Sequence, residues 1–400
     1  MDLYTFNSPS SQLGMLERSF IAMLLTGITT VVTVYIIGPT FIGGFVGQGV
    51  LAASLITLWL WSLGIRYLLN NWFVRQRSQL KRLIIDESSL PEFLNDFRSQ
   101  YEFQQLVPLN QPGSTQPEVD DEFCRWAGDW NDLETRLASD EFAGVIITTA
   151  EQIPEQLIDR LMQIRINGLR IFRVSDFYEQ YLSKLPIFHL NQHWLATVHG
   201  FELIHNPIGL RFIRYIDIVI ALVGGLILLP LIIAVGLTIV CSSGWPIFYR
   251  QARTGENGKQ FSVIKFRTMG VDAEVDGAQF AQEEDPRITS IGKILRKFRI
   301  DEIPQFWNVL KGDMSFIRPR RERPEFIQML KQDIPYYDLR HMLKSGITGC
   351  AQVKYGYGDS AEDTAEKLQY DFFFIENYSL ILDISILVRS MKVILFGTGR

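Results

Sequence analysis

The chain has 400 residues, 47% of them hydrophobic and 21% charged, with a formal net charge of −5. That charge speaks against nucleic acid as the main partner, because binding a phosphate backbone usually shows as a basic excess over a whole domain. Cys124, Cys241 and Cys350 lie far apart and the five histidines are scattered, which argues against a disulfide framework, a zinc site and a transition-metal centre.

The apolar residues are concentrated rather than spread. Ser19 to Gly38 holds no charge and is long enough to cross a hydrocarbon core of about 30 Å. A signal peptide is the alternative, but the run exceeds a usual h-region and no small-residue cleavage site follows it. Val50 to Leu69 is the second candidate span, with Trp59 and Trp61 inside it and Trp72 just beyond, as aromatics favour the membrane interface. The link between the two runs is uncharged, whereas Arg66, Arg75, Arg77, Lys81 and Arg82 crowd the far side of the second. The positive-inside rule therefore predicts a hairpin over residues 1–83 with both ends in the cytoplasm.

From Ile84 to Val119 the sequence is polar and irregular, and "LNQPGSTQPEVDDE" reads as a loop. A βαβ-like passage follows, with Ala143 to Thr148 as a buried strand, Pro154 to Ile166 as a helix, Gly168 as its stop, and "LRIFRV" as the next strand. Ile153, Leu157, Leu161 and Ile164 keep helical spacing. Residues 84–205 are thus expected to form a Rossmann-like cytoplasmic domain. They lack a G-x-G-x-x-G turn, so a scaffold or regulatory role is favoured over a dinucleotide site.

Ile216 to Cys241 is the third membrane candidate and carries Pro230 at its centre. Proline removes a backbone donor and clashes with the preceding turn, which predicts a kink or break near Leu229. Arg211 and Arg214 flank one end, and Arg250, Arg253, Lys259 and Lys265 follow the other. If basic residues stay cytoplasmic, both ends lie on one side and the segment is a re-entrant helix. A straight span with a tolerated proline is the competing reading.

Beyond it runs "DPRITSIGKILRKFRIDEIP". Ile291, Ile294, Leu295 and Phe298 mark one helix face, and Lys293, Arg296, Lys297 and Arg299 supply a basic remainder. That basic face suits solvent or anionic headgroups equally well. The acidic pair Asp301 and Glu302 comes next, Pro304 fixes the exit, and Arg318, Arg320, Arg321 and Arg323 form a second basic cluster. Carboxylates among arginines suit phosphate chemistry with a divalent ion. Guanidinium forks bind phosphate oxygens, Mg²⁺ prefers one or two carboxylates together with substrate phosphates, and an ionised Asp can attack phosphorus. Nearby cations are expected to keep that Asp deprotonated. A structural ion-pair network has the same pattern, and spacing alone does not separate the two.

Arg214 to Arg400 strongly resembles the bacterial sugar transferases, the monotopic phosphoglycosyl transferases that begin exopolysaccharide and related glycan assembly. The resemblance rests on ordered motifs: "RYIDIVIALVGGLILLPLII", "PIFYRQARTGENGKQFSVIKFRTM", "DPRITSIGKILRKFRIDEIPQFWNVLKGDMSF", "RPRRERPEF", "GITGCAQVKYGYG" and "YDFFFIENYSLILDISIL". It implies transfer of a sugar 1-phosphate from a UDP-sugar to polyprenyl phosphate, giving polyprenyl diphosphate sugar and UMP, with Mg²⁺. Asp301 would be the nucleophile that forms a covalent phosphosugar intermediate, and Glu302 would help hold the metal. Lys265 and Arg267 of "KFRTM", Asp285 and Arg287 of "DPRIT", and Arg320 match motif positions and are candidates for substrate phosphate or nucleotide contact. For each, a salt bridge that shapes the pocket is the alternative. Gly346 and Gly349 are expected to supply turns. The resemblance further implies an inner-membrane protein with its catalytic domain on the cytoplasmic face, in contact with membrane lipids, and leaves room for a homodimer.

The expected architecture is therefore an α/β membrane protein. It has an N-terminal two-helix transmembrane hairpin, a Rossmann-like α/β domain, and a mainly helical cytoplasmic catalytic domain over 206–400 that includes the re-entrant helix 216–241. One motif departs from the family pattern. "RPRRER" stands where "GPRPER" is usual, so Arg318 replaces a glycine and Arg321 a proline, and arginine would not tolerate a positive φ cheaply. The same substitutions could instead add phosphate-binding cations. Ser345 and Cys350 also replace a common proline and tryptophan. A catalytically impaired membrane scaffold of a glycan assembly complex is accordingly the second reading, and a UDP-sugar hydrolase the third.

Overall fold

The computed structural model describes residues 155–190, 206–273, 285–320, 322–355 and 360–396, with shorter segments that include 56–65, 81–85, 106–109 and 142–147. The chain divides into two compact units, Met1–Ser183 and Lys184–Arg400.

In the first unit, strands β1 (Lys81–Ile85), β2 (Leu106–Leu109), β3 (Phe142–Ile147) and β4 (Ile171–Arg173) form one sheet of order β2-β1-β3-β4. Every pairing is parallel. Leu83, Ile84 and Ile85 are buried in succession, the mark of a strand covered on both faces. Helix α1 (Glu155–Ile166) makes the crossover from β3 to β4, with an acid in its first turn and Arg165 in its last. Leu157 and Leu161, one turn apart, join Leu83, Ile85, Leu133, Phe142 and Val145 in the core. Gly168 stops the helix at φ 96°.

The predicted helix and its two flanking strands are present within two residues of their expected bounds. β1 and β2 were not anticipated: β1 straddles the 83/84 boundary and β2 lies in the segment read as irregular. Of the two expected N-terminal spans, the described residues include the helical stretch Ile56–Ile65; most of Ser19 to Gly38 and the remainder of Val50 to Leu69 lie outside them. The second unit begins earlier than residue 206, because Leu185, Ile187 and Leu190 are buried in its core and Lys184 pairs with Glu366.

That second unit is organised around α2 (Pro207–Ser243), 37 residues long and, among the described residues, the one helix long and apolar enough to cross a membrane. Asn206 caps it by accepting from the Gly209 amide at 2.8 Å, and Pro207 occupies the first turn, where a missing N–H costs nothing. Of the kink or break expected near Leu229, the break is absent: the helix is continuous through Pro230. A proline deletes one backbone hydrogen bond of the ladder, and the bonds on either side can carry the helix past it.

The buried residues of α2 are Ile213, Asp217, Ala221, Val235, Gly236 and Ile239, a single stripe at helical spacing. The other faces expose Phe212, Leu222, Val223, Leu226, Ile227 and Leu237. Ala221 packs in one cluster with Val263, Val309, Met314 and Phe316, whereas Val235 and Ile239 pack in another with Phe266 and Leu295. The N-terminal part of the helix is also tied by polar bonds. Arg214 donates to the Val309 and Leu310 carbonyls, and the Phe316 amide donates to Asp217 at 3.1 Å.

Against this helix lie the antiparallel hairpin β5 (Phe248–Thr254) and β6 (Gln260–Phe266), helices α3 (Ser290–Lys297) and α4 (Gln305–Lys311), and the parallel pair β7 (Met314–Ile317) and β8 (Ser345–Thr348). A larger core gathers α5 (Pro324–Asp333) and α6 (Cys350–Lys354) around α7 (Ala361–Glu376), which buries Leu368, Tyr370, Phe372, Phe374 and Ile375. α7 starts with a capping box between Ser360 and Asp363. The last helix, α8 (Leu380–Phe396), adds Ile386 to that core.

Candidate active site

The acidic pair sits just past α3. Thr289 caps that helix by accepting from the Gly292 amide at 3.0 Å, and Leu295 turns inward against α2. Gly292 is required by close approach, since a Cβ there would collide with the Thr268 carbonyl oxygen. After Phe298 the chain reverses through Arg299, which adopts φ 53°, a left-handed conformation costing on the order of 1 kcal/mol in a non-glycine residue. The short 3₁₀ turn Ile300–Glu302 follows. Ile300 packs with the Val235 and Ile239 cluster, while Asp301 and Glu302 are each 8% exposed. The pair is thus held immediately beside the C-terminal half of α2.

Three cations converge on Glu302. Arg320 donates to its Oε1 at 2.6 Å, Lys265 Nζ stands 3.8 Å from the same oxygen, and Arg299 stands 3.8 Å from Oε2. Burial alone would push Glu302 up, but Arg320 and Lys265 outweigh it and hold the carboxylate well below its ordinary range. Burial and then the neighbouring Glu302 charge push Asp301 the other way, above the ordinary carboxylate range. Lys265 and Arg320 act against that rise without cancelling it, and at about 6 Asp301 is still mostly ionised at neutral pH. Among the described residues no hydrogen bond reaches the Asp301 carboxylate. Burial and then Arg320 pull Lys265 down to about 8, so it remains mostly charged at neutral pH.

Of the five candidates, Lys265 and Arg320 are brought to the dyad and the other three are not. Arg267 is buried and turned to the end of α2, where it donates to the carbonyls of Ser243 (2.7 Å), Gly244 (2.6 Å) and Trp245 (2.8 Å). The Ser243 carbonyl is one that a helix leaves without a partner at its C-terminus, and the other two follow it directly. Arg267→Lys should accordingly lower the melting temperature while leaving the donor KM unchanged, because lysine cannot serve three acceptors from a planar fork; a raised KM with normal melting would return Arg267 to the pocket. Asp285 and Arg287 spend their charges on each other, with Nε to Oδ1 at 2.8 Å and Nη2 to Oδ2 at 2.6 Å. The Arg287 carbonyl also accepts from Gly270, so the pair shapes the loop entering α3.

Arg318 is likewise not a pocket cation. Its φ is negative, so the lost glycine imposes no left-handed strain, and its side chain is 3% exposed. It stands 3.8 Å from Asp383 and 5.1 Å from the Tyr378 ring centroid, inside the core. Arg321 lies outside the described residues. Gly346 provides close approach rather than a turn, because a Cβ there would meet the Arg318 backbone across the β7–β8 pair.

Two residues near the dyad were not singled out beforehand as site residues. Arg253 of β5 meets Glu322 at 3.3 Å, and both lie within electrostatic reach of Arg320. Pairing across 69 positions leaves no local pattern to read. Among the described residues no group of three or more His, Cys, Asp or Glu side chains is placed to hold a metal ion.

A buried carboxylate dyad ringed by cations and set against an apolar helix is the kind of centre a membrane-associated group-transfer enzyme requires. Residues 209–397 match the family model described as bacterial sugar transferase, and the chain belongs to that family. It is 39% identical over 239 residues to the UDP-N-acetylgalactosamine-undecaprenyl-phosphate N-acetylgalactosaminephosphotransferase of Aeromonas hydrophila, covering 60% of this chain and 55% of that protein. It is 44% identical over 147 residues to the putative undecaprenyl-phosphate N-acetylgalactosaminyl 1-phosphate transferase of Bacillus subtilis (strain 168), covering 36% and 82%. With the UDP-glucose:undecaprenyl-phosphate glucose-1-phosphate transferase of Klebsiella pneumoniae it shares 35% identity over 184 residues, 46% of this chain and 40% of the relative. The matches thus span about half or less of two of these three relatives.

Proposed function

We propose that the chain transfers a sugar 1-phosphate from a UDP-sugar to polyprenyl phosphate through a covalent intermediate on Asp301. The observation that carries the reading is the division of labour within the dyad: the cations stand closest to Glu302, and Asp301 is buried and, among the described residues, without a hydrogen bond. A carboxylate stripped of donors is the better nucleophile. An Asp301 Oδ attacks the sugar-bearing phosphorus, the bond to the bridging oxygen breaks, and UMP leaves with that electron pair. An oxygen of the lipid phosphate then attacks the same phosphorus and Asp301 is released. Lys265 and Arg320 are placed to stabilise charge on the phosphoryl oxygens.

Two adjacent carboxylates fit a hard cation that takes its remaining ligands from substrate phosphates, which accords with the lack of an all-protein cage among the described residues. Glu302, with Asp301 beside it, would hold Mg²⁺, which supplies neutralisation of diphosphate charge. The scaffold reading draws no support from Arg318, which neither strains the backbone nor enters the pocket; the other substitution, Arg321, lies outside the described residues.

We further infer that α2 is re-entrant and that the catalytic unit sits on the cytoplasmic face of the inner membrane, following the N-terminal hairpin and a Rossmann-like domain built on the parallel sheet. Ala221 and Val235 are about 21 Å apart along a straight helix. Their clusters contain Val263 and Phe266, only about 10 Å apart on one strand. A bend at Pro230 reconciles the two lengths and returns both ends to one side. Single cysteines near Arg211 and near Lys259, in a background lacking native cysteines, should both react with an impermeant reagent from the same side. Labelling from opposite faces would mean a straight span. The function itself is tested by UMP release from purified protein with Mg²⁺, a panel of UDP-sugars, and polyprenyl phosphate present or absent. Lipid-dependent release from one donor supports the transferase, lipid-independent release indicates a hydrolase, and no release from folded protein restores the scaffold.

A further inference from the structure

We propose that Arg340, anchored by Asp371, is a positioning residue that fixes the backbone of Arg320 so that its guanidinium meets Glu302. The inference rests on the transferase reading above. Arg340 is 2% exposed and Asp371 1%. Arg340 Nη2 donates to the Arg320 carbonyl at 2.7 Å and to Asp371 Oδ2 at 2.8 Å, and Nη1 donates to the Tyr337 hydroxyl at 3.1 Å. The guanidinium lies 5.2 Å from the Tyr337 ring centroid, which fixes its plane.

A buried ion pair is weak evidence for stability, because desolvating both charges offsets most of their attraction. What this pair does have is a directional bond to the backbone oxygen of Arg320, the residue that makes the 2.6 Å contact with Glu302. The segment around it is held at every described position. Pro319 accepts from the Gly346 amide at 3.1 Å, the Arg320 guanidinium donates to Glu302 at 2.6 Å, and Glu322 pairs with Arg253. Arg340 supplies the tie from the core side, and Asp371 on α7 is the fixed point behind it. A lysine would keep the charge but could not present a planar fork to the carbonyl and the carboxylate together.

The test is a double-mutant cycle on UMP release, using Arg340→Lys, Asp371→Asn and Arg320→Lys. Each of Arg340→Lys and Asp371→Asn is expected to lower turnover on the order of 100-fold, the effect of misplacing a group by about 1 Å. Adding either to Arg320→Lys is expected to cost no more than about twofold further, since the residue being positioned is already lost. A full loss in that background, or no loss in either single variant, overturns the proposal. Asp371→Asn retains an acceptor oxygen at nearly the same volume and serves where Arg340→Lys fails to fold. Amide hydrogen exchange across 319–323 gives a readout independent of turnover. It should quicken in the Arg340 and Asp371 variants while exchange elsewhere in α7 and β6 is unchanged, and an unaltered 319–323 segment also overturns the proposal. Absence of Asp301-dependent release from the wild type would instead defeat the transferase reading and leave the exchange result to decide the role of Arg340.

Discussion

Asp301→Asn should release UMP at least about 1,000-fold more slowly than the wild type, because an amide cannot form the covalent intermediate and nothing else in the dyad is free to replace it. Among the described residues Glu302 is the adjacent carboxylate, and Arg320 already occupies one of its oxygens at 2.6 Å. The same substitution should not weaken the fold. Burial and the Glu302 charge raise the proton affinity of Asp301 in the folded state, so its ionisation costs stability. That cost is absent below the unfolded-state value and fully present above the raised folded value. The melting temperature of Asp301→Asn relative to wild type should therefore rise as pH increases through that window, and at neutral pH the variant should melt no lower. Glu302 has the opposite sign, since its depressed value contributes stability that is lost as pH falls through the acid range. Wild-type turnover in a folded Asp301→Asn protein would sink the nucleophile assignment. Slow turnover with a large drop in melting temperature would mean that Asp301 is a structural carboxylate.

The second large effect concerns stability. Arg318→Gly restores the residue common in the family, yet it should destabilise the second unit by about 3 kcal/mol, because it leaves a buried carboxylate without its cation. Burial pushes Asp383 up to about 6 even with Arg318 beside it, and the Tyr378 hydroxyl donates to it at 2.8 Å. Removing the arginine also empties the space it fills next to Phe374 and Tyr378, at 5.7 and 5.1 Å from their ring centroids. A unit of this size should then melt roughly 6–12 °C lower. A second substitution, Asp383→Asn, should recover part of the loss, since it removes the charge that Arg318 balances. An unchanged melting temperature for Arg318→Gly would contradict the inward placement of the guanidinium.

The dyad was legible in the sequence because its parts are neighbours in the chain, and an acidic pair between basic clusters announces itself by charge alone. Lys265 and Arg320 were named from motif position, and both stand beside Glu302. Arg267 and Arg318 show the limit. A sequence displays the charge of an arginine but not which way it faces, and both of these are spent on helix-end carbonyls or a buried acid. Partners separated by 31 or 69 positions, as in Arg340 with Asp371 and Arg253 with Glu322, leave no local trace. In the first unit α1 was readable from its periodicity. β1 and β2, with five and four residues, were too short and too close to basic or irregular sequence to stand out.

The polar ties that hold the N-terminal part of α2 have a consequence for synthesis. The amide that binds Asp217 belongs to Phe316, 99 positions later, and the carbonyls that bind Arg214 lie 95 and 96 positions later. At about 5–20 residues per second, a ribosome delivers the apolar helix about 5–20 s before the strand and helix that will clasp it. On the re-entrant reading, the insertion machinery therefore meets a long apolar segment before the partners of its N-terminal end have been made. Which side each end occupies must be set by flanking charge and the central proline first, and the later contacts can only lock a topology already chosen.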